Sequence, residues 1–118
     1  MNALAILEGH LASVRGLAAR FFPQASVELR YRRLTQYALR IDIAEEFFID
    51  VYYNGENQRQ SYALIKKGER VFGCDNLLGW HYHPRENPDR HNFCQAAPSL
   101  EEIFTQLEQT AGAIRSDG

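Results

Sequence analysis

Several things are scarce in this chain, and each scarcity excludes a class of protein. Two cysteines in 118 residues cannot build a disulfide framework, and they point to a reducing setting. No apolar run approaches the ~20 residues of a membrane span. The N-terminus lacks the basic-then-apolar pattern of a secretion signal. The expectation is a soluble, cytoplasmic protein with no membrane partner. Charge of either sign is not in excess: the formal net charge is -2, so no global field advertises nucleic acid or a membrane surface. Lysine is rare as well, with two against 11 arginines. Arginine suits bidentate contact with carboxylate or phosphate. A GC-rich genome gives the same bias.

What is present suffices for one core. Hydrophobic residues make up 45% of the chain. A chain of this length buries roughly two-thirds of its unfolded surface, so it needs no metal or disulfide to fold. Residues 1–118 read as a single domain, with no repeat, linker or low-complexity tract.

Residues 3–21 carry Leu4, Leu7, Leu11, Val14, Ala18 and Phe21 at spacings of three and four, the mark of a helix with one apolar face. Pro23 stops it. The period then changes to two. Val27, Leu29 and Tyr31 alternate with Glu28, Arg30 and Arg32. Tyr37, Leu39, Ile41 and Ile43 alternate with Gln36, Ala38, Arg40 and Asp42. Phe47, Ile49, Val51 and Tyr53 alternate with Phe48, Asp50 and Tyr52. Such alternation predicts half-buried antiparallel strands. "SYALIKK" and "RVFGC" supply a fourth and a fifth, joined through Lys67-Gly68-Glu69, and Asn54-Gly55 opens the longest turn. Ser99 followed by Glu102 forms a capping box for a last helix, striped by Leu100, Ile103, Phe104, Leu107, Ala111 and Ile114. The "RSDG" tail is expected to fray. The fold class is α+β: an antiparallel sheet of about five strands with an N-terminal and a C-terminal helix. The helices cover the apolar face. The other face shows Arg30, Arg32, Arg40, Asp42, Asp50 and Tyr52, which is either a solvated surface of cross-strand ion pairs or a shallow surface for phosphates or an acidic partner.

Between Cys74 and Cys94 the chain concentrates three of its four histidines, both cysteines and its one tryptophan. Three readings compete. His81-x-His83 and His91-x-x-Cys94 offer four zinc donors in two short pairs, although Pro84 ends the strand on which His-x-His works best. Alternatively His81, His83 and His91, with Asp75 orienting and Arg85 or Arg90 on phosphate, form an acid–base set. Such a set could cleave RNA without metal. In the plainest reading Trp80 and Tyr82 plug the core, His81 and His83 face outward, and both cysteines are small buried hydrophobes. His10 reads as a bystander on the first helix.

The stretch "SYALIKKGERVFGCDN", then "HYHPRENPDRHNF", then "PSLEEIFTQLEQ" resembles the TumE family of small toxins over roughly residues 61–110. Asp75 and Asn76 match the family's Asp-Asn, His81 and His83 its first histidine pair, and His91 the later one. Two positions depart. Gly73-Cys74 stands where an Arg-containing pair precedes Asp-Asn, and Phe93 replaces the second histidine of the later His-x-His. The resemblance implies a toxin-like component of a toxin–antitoxin system, neutralised by a partner with a helix-turn-helix domain and acting on RNA. The expected function is therefore a toxin-like, metal-independent RNA endonuclease without a cofactor. Its site is His81, His83, His91 and Asp75; Arg85, Arg90, Arg30, Arg32 and Arg40 contact substrate. The alternative is a non-catalytic module that binds zinc through His81, His83, His91 and Cys94, or binds a protein partner. Oligomeric state is not legible.

Overall fold

A computed structural model describes residues 2–117. The first helix, α1, spans Ala3–Phe21, with the Asn2 side chain accepting from the Ala5 N–H at 2.8 Å as N-cap. Five strands follow: β1 (Ser26–Arg32), β2 (Gln36–Ala44), β3 (Phe47–Asn54), β4 (Gln60–Lys66) and β5 (Glu69–Asp75). Two more come from the His-rich segment, β6 (His81–His83) and β7 (Asn92–Phe93), and α2 (Leu100–Asp117) ends the chain. All seven strands form one antiparallel meander in chain order. The expected α+β class holds, with seven strands rather than five. The two extra strands are too short for alternation to show. Helix α2 continues through Asp117 instead of fraying, and Asp117 pairs with Arg85. No helix among the described residues is long and apolar enough to cross a membrane.

Both helices pack on one face of the sheet. Leu7, Leu11, Val14 and Ala18 of α1 and Ile103, Phe104, Leu107, Ala111 and Ile114 of α2 bury against Tyr37, Leu39, Ile41, Ile49, Val51, Tyr62 and Leu64. Apart from Tyr62 and Leu64 on β4, these are positions that the two periodicities picked out. The turn after β3 touches α1 closely: a Cβ on Gly55 would lie 2.4 Å from the Ala3 carbonyl oxygen. Glycine is needed there for that approach.

The opposite face carries Arg40, Asp50, Phe48, Tyr52, Ser61 and Ala63. Arg40 bonds both oxygens of Asp50, at 2.9 and 3.3 Å, and lies 3.8 Å above the Phe48 ring. One expectation fails in β1. A bulge between Leu29 and Tyr31 shifts the register, so Tyr31 pairs with Ala38 and Arg32 with Tyr37. Tyr31 therefore sits on the open face. Arg32 turns to the helix side, where it bonds Glu8 of α1 at 3.0 Å. An unbroken alternation cannot anticipate one extra residue.

Candidate metal centre

The site is built where β5 and β6 pair. Asp75 stands opposite His81 and Gly73 opposite His83. Because side chains alternate across a strand, Asp75, His81 and His83 all project from the open face while Cys74 and Tyr82 project towards α2. Three residues of strand before Pro84 are enough to set both histidines side by side. They point away from the helices as expected, yet they are buried, at 2% and 4% exposure. The chain returns over them: the His91 ring lies 4.6 Å from that of His81 and 4.8 Å from that of His83, and Phe93 lies 5.2 Å from His81.

The hydrogen bonds fix the tautomers. His81 Nδ1 is 2.7 Å from the Gly79 carbonyl oxygen, and His83 Nδ1 is 3.0 Å from that of Pro88. A carbonyl oxygen only accepts, so both Nδ1 atoms carry protons. In a neutral ring that leaves each Nε2 with a bare lone pair. Those two Nε2 atoms face each other at 3.1 Å. The Asp75 carboxylate faces both, with Oδ2 3.0 Å from His83 Nε2 and Oδ1 3.3 Å from His81 Nε2. Its Oδ1 accepts from the Leu77 N–H at 3.1 Å. Three acceptors thus converge where no neutral partner supplies a proton. Burial lowers the His83 pKa against the opposing pull of Asp75, which favours the neutral, lone-pair form.

A metal ion or a proton between them would satisfy these acceptors. Ligand atoms each ~2.1 Å from one ion lie about 3.0 Å apart at right angles and about 3.4 Å apart in a tetrahedron. The Nε2–Nε2 separation of 3.1 Å falls within that span, and each imidazole has its own carboxylate oxygen at a comparable distance, Oδ2 at 3.0 Å for His83 and Oδ1 at 3.3 Å for His81. His91 completes the group, with the donor atoms of the three histidines all within 4.8 Å of one another. The donor set of imidazoles and one carboxylate suits a divalent first-row transition metal. Backbone carbonyls behind both buried imidazoles are the outer support that metal-binding histidines require.

The remaining expected site residues lie elsewhere. Cys94 follows Phe93 onto the helix side, near Tyr82, Cys74 and Glu102, and so does not belong with the histidines. Burial pushes the Cys74 thiol up to about 12 and raises Cys94 as well, so neither is primed as a nucleophile. Arg85 pairs with Asp117 beside a groove against α2, and Arg90 pairs with Glu86 and Asn92. Arg30 pairs with Glu28 and Arg40 with Asp50 on the open face.

Three contributors escaped the sequence reading. Gly79 and Pro88 act through backbone oxygens, which no side-chain pattern encodes. Arg70 donates to the same Pro88 oxygen as His83, at 3.0 Å. Its place was obscured by another register shift, between Leu64 and Ile65 on β4, which changes the side that Arg70 takes.

His10 is no bystander. Its Nδ1 lies 2.7 Å from the Tyr37 hydroxyl, its Nε2 lies 2.8 Å from that of Tyr62, and its ring stacks on Tyr53 at 3.6 Å. The signal was available: His10 lies three residues from Leu7 and four from Val14, at the margin of the apolar stripe.

No family model, curated protein or solved structure matches this chain.

Proposed function

We propose that the protein binds a divalent first-row transition-metal ion through His81, His83 and Asp75, with His91 as a fourth ligand. One observation carries the reading: two buried Nε2 lone pairs and a carboxylate converge at 3.0 to 3.3 Å, while both Nδ1 protons are committed to backbone carbonyls. The test is metal content. After chelation and dialysis, the wild-type chain should take up about one zinc or cobalt ion, and excess metal should raise its melting temperature. The His83→Ala variant should take up none. A wild-type chain that binds no transition metal at micromolar concentration would remove this reading.

A second reading, toxin-like cleavage of RNA, is favoured by the contact between Asp75 and both histidines. With a proton in place of the metal, the same groups form an imidazolium–carboxylate pair flanked by a neutral imidazole, as acid–base catalysis requires. Induced expression separates the two. Growth arrest and RNA cleavage that persist in chelator, and vanish in the Asp75→Asn variant, belong to the acid–base reading. A helix-turn-helix antitoxin partner is part of that reading alone.

A further inference from the structure

The four ligands are not held alike. His81, His83 and Asp75 are buried at 2%, 4% and 7% exposure, and each is oriented from behind by a backbone group. His91 is exposed, and among the described residues no hydrogen bond orients its ring, which rests only on its aromatic neighbours. Structural metal sites close all positions with fixed ligands; ligand-accepting sites fix three and leave one free to exchange. Outer-shell support separates the two kinds, and here it supports three.

A cation stands beside the cluster, at the Nδ1 side of His83. Arg20, Arg30, Arg32, Arg40, Arg85 and Arg90 are each paired with a carboxylate. Arg70, like Arg15, Arg33, Arg59 and Arg115, has no carboxylate partner among the described residues, and of these five it is the one that shares a hydrogen-bond acceptor with a cluster histidine. One of its N–H groups donates to the Pro88 oxygen that also receives His83 Nδ1, so the guanidinium sits one carbonyl away from a ligand ring. Its stem lies over Gly73 on the open face, where a Cβ at Gly73 would approach the Arg70 Cδ to 3.3 Å. The other guanidinium donors remain for an anion, in the planar fork that matches phosphate and carboxylate.

We propose that His91 is an exchangeable ligand, and that a small oxyanion replaces it on the metal and is held by Arg70. This rests on the metal reading above. The shared chemistry is a phosphate or a carboxylate group, and the two are distinguished by separate probes.

Cobalt(II) reports this directly, because its visible absorption follows coordination number and ligand type. The cobalt-loaded protein is titrated with inorganic phosphate and, separately, with acetate. A saturable spectral change with one anion identifies the class. The Arg70→Ala variant should bind that anion at least tenfold more weakly, a larger loss than any change in its cobalt affinity. Cobalt affinity should fall no more than about tenfold in His91→Ala but more than 100-fold in His83→Ala. A spectrum unmoved by either anion, or His91→Ala as damaging as His83→Ala, would show a closed structural site and overturn the proposal. An anion response undiminished in Arg70→Ala removes Arg70 from it. Failure of the wild type to take up cobalt strikes the metal reading itself, and so is distinct from these outcomes.

Discussion

Two histidine clusters lie on opposite faces of the same sheet, and they differ in their proton count. On the helix side, the Tyr62 hydroxyl donates to Gln60 Oε1 at 2.6 Å, so its oxygen accepts from His10 Nε2–H at 2.8 Å. The Tyr37 hydroxyl then donates to His10 Nδ1 at 2.7 Å. Each polar group has one partner of the opposite kind, and the network is complete with every member neutral. On the open face, His81, His83 and Asp75 are as close to one another but present only acceptors inward. A complete network is a structural pin between a helix and a sheet. A network short of one positive charge is a receptor for that charge. Residue type does not separate the two cases, since both centre on buried histidine; the identity of the atoms behind each ring does.

The largest effect on folding is expected on the complete side. His10→Ala leaves two hydroxyls, Tyr37 and Tyr62, without their imidazole partner and removes the ring stacked on Tyr53. The expected loss is about 2–4 kcal/mol of unfolding free energy, read by urea titration at pH 7.5. Metal uptake should be unchanged, because no His10 contact reaches the other face. Loss of metal binding in this variant would show that the two clusters are not independent.

The pH dependence comes next. Burial, opposed by the hydrogen bond to Gln60, lowers the His10 pKa from 6.5 to about 4. Between those values the unfolded chain binds a proton that the folded one refuses, so stability falls as pH drops from about 6.5 towards 4. The full shift corresponds to at most about 3 kcal/mol. In metal-free protein, urea titrations at pH 7.5 and 5 should show this slope, and His10→Gln should flatten it. An unchanged slope in His10→Gln would place the titrating group elsewhere.

How much of this was legible in the residues follows from what each feature is made of. Periodicity reports which side chains are buried, so the span of α1, the first five strands and the apolar stripe of α2 could be read directly. The Ser99 cap is present too, its Oγ accepting from the Glu102 N–H at 3.1 Å. The clustering of His81, His83 and His91 drew notice by composition alone, and Asp75 by its turn. What escaped was register. The bulge at Leu29/Tyr31 moved Arg32, the shift at Leu64/Ile65 hid Arg70, and the parity of β7 sent Cys94 to the side away from the histidines. Each is an offset of one residue, which leaves composition untouched and reverses a side chain's face. Backbone acceptors escaped for a different reason: every residue has one, and only the path of the chain shows which are used.

The comparison sharpens when one ring is removed from the incomplete cluster in the metal-free protein. His83→Ala deletes a buried side chain, but it also relieves two acceptors of a third. The expected cost is about 1 kcal/mol, well below that of His10→Ala, in the presence of chelator. With zinc present the order should reverse, because the wild type and His10→Ala both gain linkage stabilisation that His83→Ala lacks: about 2.7 kcal/mol at a free zinc concentration 100 times the Kd. A His83→Ala variant that costs as much as His10→Ala under chelation would mean that the open-face cluster is already satisfied, by a proton, and would favour the acid–base reading.

The smallest effect tests the thin layer between the clusters. Gly73 lies on β5 with His83 on one side and Ala63 on the other. A Cβ there would stand 3.1 Å from the Tyr62 carbonyl oxygen and 3.3 Å from the Arg70 Cδ. The first neighbour is backbone of the residue that anchors His10; the second is a flexible stem beside the open-face histidines. The φ of Gly73 is not in the left-handed region, so alanine meets crowding without backbone strain. Two opposed terms then apply. Alanine reduces the entropy of the unfolded chain, and the crowding asks its neighbours to give by a few tenths of an ångström. The net change in stability should be about 1 kcal/mol or less. The Arg70 stem gives more readily than a strand carbonyl, so displacement falls on the open face. Gly73→Ala should therefore weaken anion binding by the cobalt-loaded protein more than it weakens folding, and leave the pH slope due to His10 in place. A flattened slope would show instead that the strain passed into Tyr62, and that the sheet couples the two clusters rather than insulating them.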